Sequence, residues 1–305
     1  MNRRARPIAR VTVVVVLVAA AFVVGRTFAP APANAAASTP ASSIFYLDLG
    51  ASSSLGFQPT GILDHNGYRT NTGYANDLVD LEGFRRVSLV LHQMGCPGET
   101  VQSILSTKTA DHCYHMPRTQ LTSAVAFLRA NHAARGLVTV DLGFNDVRTC
   151  LLVPVVNEAC VATGVAAVRA DLPTVVNDLK AAAGPRVHFV GVKYADPYLA
   201  DFLRGATGPA NATASLVAMN ALNAVLASVY GAAHVAVANV PAYFNMNDTA
   251  RIPVDNVGVI PANVEAACEY TWDCYGAPFG PDDHPNDAGY ALIAQAIAAV
   301  LPKKW

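Results

Sequence analysis

Ile44-Phe45-Tyr46-Leu47-Asp48-Leu49-Gly50-Ala51-Ser52 is the stretch from which the fold is read. Ile44 to Leu49 is short, bulky and almost wholly apolar, without polar alternation, the pattern of a strand buried on both faces. Gly50 then permits a sharp turn. Four more runs have the same character: Val87 to Leu91, Leu137 to Leu142, Val187 to Val192 and Val235 to Val240. Helical periodicity fills the gaps at Thr119 to Asn131, Val165 to Ala183, Ala214 to Tyr230 and Asn286 to Leu301. Within the second of these, Pro173 predicts the start of the main helix, with Asp171 as its cap. Strand and helix in repeated alternation predict a doubly wound α/β domain with a mostly parallel five-stranded sheet. No internal repeat and no second domain is visible.

Upstream of this stretch the composition changes. Arg3, Arg4, Arg6 and Arg10 precede a 14-residue apolar run, Val11 to Val24, and Ala33-Asn34-Ala35 then offers a small-residue cleavage site. Residues 1–35 are therefore expected to be a secretory signal peptide, with an uncleaved N-terminal anchor as the alternative. Residues 36–43 are rich in Ala, Ser, Thr and Pro and read as a linker; residues 44–305 are then the one folded domain. Removing the five arginines of the leader leaves 16 basic against 22 acidic residues, a net charge of −6. With no basic cluster left, nucleic acid is not an expected partner. The expectation is a secreted or cell-envelope protein, monomeric and without a stable membrane span once the leader is cleaved.

The six cysteines all follow the leader. An even number in an exported chain predicts disulfides, and proximity favours Cys96–Cys113, Cys150–Cys160 and Cys268–Cys274. A metal reading of His112, Cys113 and His115 with Cys96 matches no common zinc spacing, so no metal is expected.

Three short motifs lie just beyond predicted strand ends, where doubly wound sheets bind ligands. Gly50-Ala51-Ser52 places a serine at a strand-to-helix turn, where exposed N–H groups favour developing negative charge. Gly95-Cys96-Pro97-Gly98-Glu99-Thr100 offers a backbone N–H that a substrate can approach closely. Gly143-Phe144-Asn145-Asp146 offers a side-chain amide as an oxyanion donor. A fourth, Asp282-Asp283-His284-Pro285-Asn286-Asp287-Ala288-Gly289-Tyr290, places a histidine beside two acids before an apolar helix. Taken singly, each also reads as a turn or a helix cap. Together they supply a nucleophile, a base, a carboxylate and oxyanion donors. No Gly-x-Ser-x-Gly elbow occurs, which argues against the α/β-hydrolase family.

In these four blocks the chain resembles the SGNH hydrolases, the esterase and lipase group also called GDSL. The Ser, Gly, Asn and His that name the family fall on Ser52, Gly95, Asn145 and His284, in the family's order. The resemblance runs from about Ile44 to the C-terminus and is similar to that of secreted actinobacterial esterases and lipases. It implies a three-layer α/β/α, flavodoxin-like fold. Ser52 would be the nucleophile and His284 the general base. The Ser52 N–H, the Gly95 N–H and the Asn145 side chain would form the oxyanion hole. There are two departures. Ala51 replaces the Asp of the usual Gly-Asp-Ser, and Pro281 stands where the family has its triad acid, three residues before the histidine. Asp282, Asp283 and a backbone carbonyl near Pro281 compete for that role, and Asp282 is closest to the usual spacing.

The expectation is thus a serine ester hydrolase, an esterase or lipase acting through an acyl-enzyme on small-molecule or lipid esters with no cofactor. Phe57, Tyr68, Tyr74, Phe144, Leu151, Leu152 and Val153 would suit an acyl chain or the core. A carbohydrate O-acyl esterase or acyltransferase on the same scaffold is the alternative reading. A non-catalytic envelope-binding protein is a further one, opposed by the complete set of four blocks.

Overall fold

The computed structural model describes residues 43–59, 69–106, 113–115 and 117–305. The leader, nearly all of the linker, Tyr68 and His112 lie outside the described residues. The strands are β1 (Ile44–Gly50), β2 (Leu89–Gln93), β3 (Gly136–Asp141), β4 (Val187–Val192), β5 (Ala236–Ala238), β6 (Arg251–Val254) and β7 (Gly258–Pro261). The first helices are α1 (Tyr74–Phe84), α2 (Val101–Leu105), α3 (Gln120–Ala130), α4 (Asn145–Leu151) and α5 (Glu158–Ala182). They are followed by α6 (Gly208–Ala232), α7 (Val240–Tyr243), α8 (Ala262–Tyr270) and α9 (Asp287–Ala298), with 3₁₀ segments at Ser53–Leu55 and Pro197–Leu203.

β1 to β5 form one parallel sheet in the order β2-β1-β3-β4-β5. β1 is buried along its whole length, and its side chains alternate between two cores because successive strand residues face opposite ways. Phe45, Leu47 and Leu49 join the core beneath α2, α3, α5 and α6. Ile44 and Tyr46 join the one beneath α1, α7 and α9. Helices on both faces of one parallel sheet make a three-layer α/β/α domain of flavodoxin-like order. The order reverses between β1 and β3, so the crevice beyond their carboxyl ends is the topological switch point.

The second helix differs from its sequence expectation. α5 starts at Glu158 with Asn157 as its cap, accepting from Cys160 N at 3.0 Å, and it runs through Pro173 without ending. Proline frees the carbonyl four residues back, here that of the exposed Arg169, which faces water. Val168, Leu172, Val175, Val176 and Leu179 are buried on one side, and that packing holds both halves in one helix. β2 is shifted two residues late, and β5 is shorter than Val235 to Val240. The sequence reading also omits α1, α2, α4, α8 and the antiparallel β6–β7 hairpin. All but α1 are short, and their apolar positions are too few to show a period.

The three disulfides join Cys96–Cys113, Cys150–Cys160 and Cys268–Cys274, and no cysteine is free. A metal site built on Cys96 and Cys113 therefore has no thiolates to offer.

Candidate active site

β1 delivers Ser52 to the switch point. Ser52 heads the 3₁₀ turn, whose Leu55 and Phe57 N–H groups both donate to its carbonyl (3.0 and 3.1 Å). The neighbouring serine is not equivalent. Ser54 is fully buried and spends its hydroxyl on Ala51 O at 2.8 Å. Gly50 approaches β3 so closely that a Cβ there would lie 2.5 Å from Asp141 O. Its backbone is gripped by one side chain: Gly50 N donates to Gln120 Oε1 (2.8 Å), and Gln120 Nε2 donates back to Gly50 O (2.9 Å).

β2 brings in Gly95. Met94 N and Cys96 N donate to the carbonyls of Asp48 and Gly50 (2.9 and 3.0 Å), so the N–H of Gly95 between them turns the other way. A Cβ on Gly95 would fall 2.0 Å from Ser54 Oγ and 2.9 Å from Ala51 O. Glycine is required because the loop packs directly on the serine turn. β3 delivers Asn145 as the first residue of α4. Asn145 Nδ2 donates one hydrogen to Glu99 O at 3.1 Å, which orients the amide and leaves the other hydrogen available. Asp146 beside it accepts from Val101 N, and burial pushes its carboxyl up to about 7.

His284 comes from the loop before α9, which is tied down on both sides. Asn286 caps α9 through Gly289 N (3.0 Å) and holds Glu269 O (2.8 Å), while Trp272 N donates to His284 O (3.1 Å). His284 Nε2 lies 2.8 Å from Ser52 Oγ. Its Nδ1 lies 2.8 Å from Asp282 Oδ1, which also accepts from the His284 backbone N–H at 2.9 Å. Among the three candidates for this contact, the Asp282 side chain makes it. Asp283 Oδ1 stands off at 3.7 Å. Asp283 instead takes Arg148 Nε (2.6 Å), Arg148 Nη2 (3.2 Å) and Tyr198 OH (2.6 Å).

These contacts set the electrostatics. Burial pulls the His284 pKa down, but the Asp282 hydrogen bond and the charges of Asp283 and Asp282 outweigh it, and the net shift is upward. Arg148 acts in the opposite sense on the ring. Burial pushes Asp282 up, and its bonds to His284 more than reverse that, holding it below the usual carboxylate range. Asp282, Asp283 and His284 also lie close enough together to present ligand atoms to a cation. Those atoms are already engaged with one another, with Ser52 and with Arg148.

Gln120, Arg148 and Tyr198 carry no local motif. Their partners lie 70, 135 and 85 residues away in sequence. Arg148 alone leaves a trace, standing three residues after Asn145 on the same helix face. Of the apolar residues named for an acyl chain, Tyr74 and Leu151 are core, and Phe144 stacks on Tyr198 at 6.2 Å. Phe57 lies against the His284 ring at 6.0 Å. Leu152 and Val153 line a cavity that adjoins the site at Asp282 and Asp283.

No family model matches the chain, and no curated protein matches it. Solved structures do. Phospholipase A1 from Streptomyces albidoflavus NA297 is 18% identical, covering 85% of this chain and 100% of its own with a TM-score of 0.54. An extracellular lipase from Streptomyces rimosus is 18% identical over the same shares, with a TM-score of 0.53. Axe2, an acetyl-xylooligosaccharide esterase from Geobacillus, is 16% identical and covers 86% of this chain and 96% of its own, with a TM-score of 0.51. At these identities the likeness is one of fold, and the fold is that of the SGNH hydrolases.

Proposed function

We propose that the protein is an SGNH-type carboxylic ester hydrolase, exported by a leader over residues 1–35, with residues 44–305 as its catalytic domain. The observation that carries this is the relay Ser52 Oγ–His284 Nε2 and His284 Nδ1–Asp282 Oδ1, each step 2.8 Å, at the switch point of the sheet. Three structures with the same fold are named as enzymes acting on carboxylic esters. Three disulfides suit an oxidising, extracellular setting.

In the reaction His284 takes the Ser52 proton as Ser52 Oγ attacks the ester carbonyl. Asp282 accepts from Nδ1–H, which fixes the tautomer and stabilises the imidazolium. The oxyanion meets the N–H groups of Ser52 and Gly95 and the second hydrogen of Asn145 Nδ2. His284 then returns the proton to the departing alcohol. Water, deprotonated by the same ring, releases the acid. No step needs a group beyond these side chains and water.

The test is a panel of nitrophenyl esters of increasing chain length. Hydrolysis is expected, and Ser52→Ala should lower kcat by about 10⁴-fold or more. Hydrolysis that survives in folded Ser52→Ala would refute the reading.

A further inference from the structure

A cavity of about 520 Å³ opens beside the relay, on the acid side of His284. Its size is that of a small-molecule site. Asp282 and Asp283 form part of its wall; Ser52 and His284 do not. Whatever it holds therefore lies off the reacting centre. It also lies on the side of the histidine, the group that protonates the departing alcohol.

The lining decides the chemistry. Arg148 is paired with Asp283, and Arg204 with Asp201 and Asp273, so four aspartates including Asp282 surround two arginines. An anionic headgroup meets a net negative wall with no spare cation. An acyl chain would find Leu152, Val153 and Phe279 in the wall but would also have to be buried against six charged side chains, which is costly. A neutral hydroxyl suits both kinds of partner, since it donates to carboxylates and accepts from guanidinium N–H. The arginine side chains keep 36% and 40% of their surface exposed, so N–H groups beyond the ion pairs remain within reach.

Two further observations point the same way. Asp273, 4% exposed and part of the wall, has an Oδ2 that meets no donor, an unsatisfied buried acceptor. Phe279, 43% exposed, lines the cavity and is backed by the stacked Trp272 ring at 5.9 Å, a flat apolar plate for a ring C–H face. Cys150–Cys160 closes the loop that carries Leu152, and Cys268–Cys274 anchors the start of the segment that runs on to Phe279.

We propose that this cavity binds a neutral sugar unit of the alcohol half of the substrate, one unit or more from the scissile ester, with Asp273 as hydroxyl acceptor and Phe279 as stacking plate. The proposal rests on the ester-hydrolase reading and names the substrate class for that site. Binding remote from the reacting bond raises kcat/KM through the transition state.

The test compares an acetylated methyl disaccharide with nitrophenyl acetate, which has the same acyl group and no sugar. In Asp273→Asn the ratio of their kcat/KM values should fall about ten-fold or more, the size of a lost hydrogen bond to a charged group. Phe279→Ala, at an exposed position, should lower the same ratio, and thermal melting checks that both variants fold. A ratio equal to wild type in both folded variants overturns the proposal. The deacetylated methyl disaccharide, titrated into the wild-type protein by calorimetry, gives a readout independent of catalysis. Binding that is weakened in both variants sustains the cavity assignment even if no ester is hydrolysed, whereas no binding to the wild type refutes it. Absence of Ser52-dependent hydrolysis on every ester refutes the catalytic reading instead.

Discussion

Asp282 and Asp283 are consecutive residues with the same side chain, and the structure gives them opposite partners. Adjacent residues of an extended segment point to opposite sides. Asp282 turns to the imidazole and accepts only from His284. Asp283, its side chain 3% exposed, turns inward to Arg148 and Tyr198. One carboxylate serves the ring; the other fastens the ring's loop to α4, the helix that also carries Asn145. The proposed base and the proposed oxyanion donor are thereby referenced to one rigid element. A family spacing that places the triad acid three residues before the histidine would miss both, because Pro281 has no carboxylate.

The largest expected difference between the two is in turnover. Asp282→Asn should lower kcat by about 10⁴-fold, since the amide favours the wrong tautomer. Asp283→Asn should cost far less, about ten-fold, through a loosened loop. Equal losses would dissolve the distinction, and a larger loss for Asp283→Asn would reverse it.

A second difference is expected in pH dependence. The base must be neutral, so activity falls as pH drops through the His284 pKa. The groups that face the ring are Ser52, Asp282, Asp283 and, behind Asp283, Arg148. Asp283→Asn removes a negative charge and should move the acid limb of kcat/KM to lower pH. Arg148→Gln removes the opposing positive charge and should move it to higher pH. Shifts in the same direction for both variants would mean that the pair acts by packing alone.

The fold was legible because strands buried on both faces must be apolar throughout, and β1, β3 and β4 satisfy that within one or two residues. Ser52, Gly95, Asn145 and His284 were legible because each sits at the end or start of such an element. What hid were contacts between distant segments. Nothing near Gln120 announces that it will clasp Gly50, and nothing near Arg148 announces Asp283. Pro173 misled because local propensity was outweighed by the buried face of α5.

A smaller effect concerns the acids under the sheet. Asp48 and Asp141 are buried like Asp283, but among the described residues neither makes an ion pair. Thr139 and Tyr74 donate to Asp48 Oδ1 (2.7 and 2.9 Å), and its Oδ2 has no partner. Burial raises Asp48 well above the usual range and pushes Asp141 up to about 6. The unfolded chain ionises first, so the stability that protonated Asp141 confers is full in acid and is lost as pH rises from about 4 through 6. Asp141→Asn should therefore raise Tm by about 2–4 °C at pH 8 relative to its effect at pH 5. The same shift at both pH values would show that Asp141 is ionised throughout.

The most direct measurement for the account as a whole is covalent labelling with a serine-directed phosphonate, followed by mass mapping of the digested protein. One adduct is expected, on Ser52, lost in Ser52→Ala and strongly slowed in His284→Ala. An adduct on Ser53 or Ser54, or labelling that persists in folded Ser52→Ala, would contradict it.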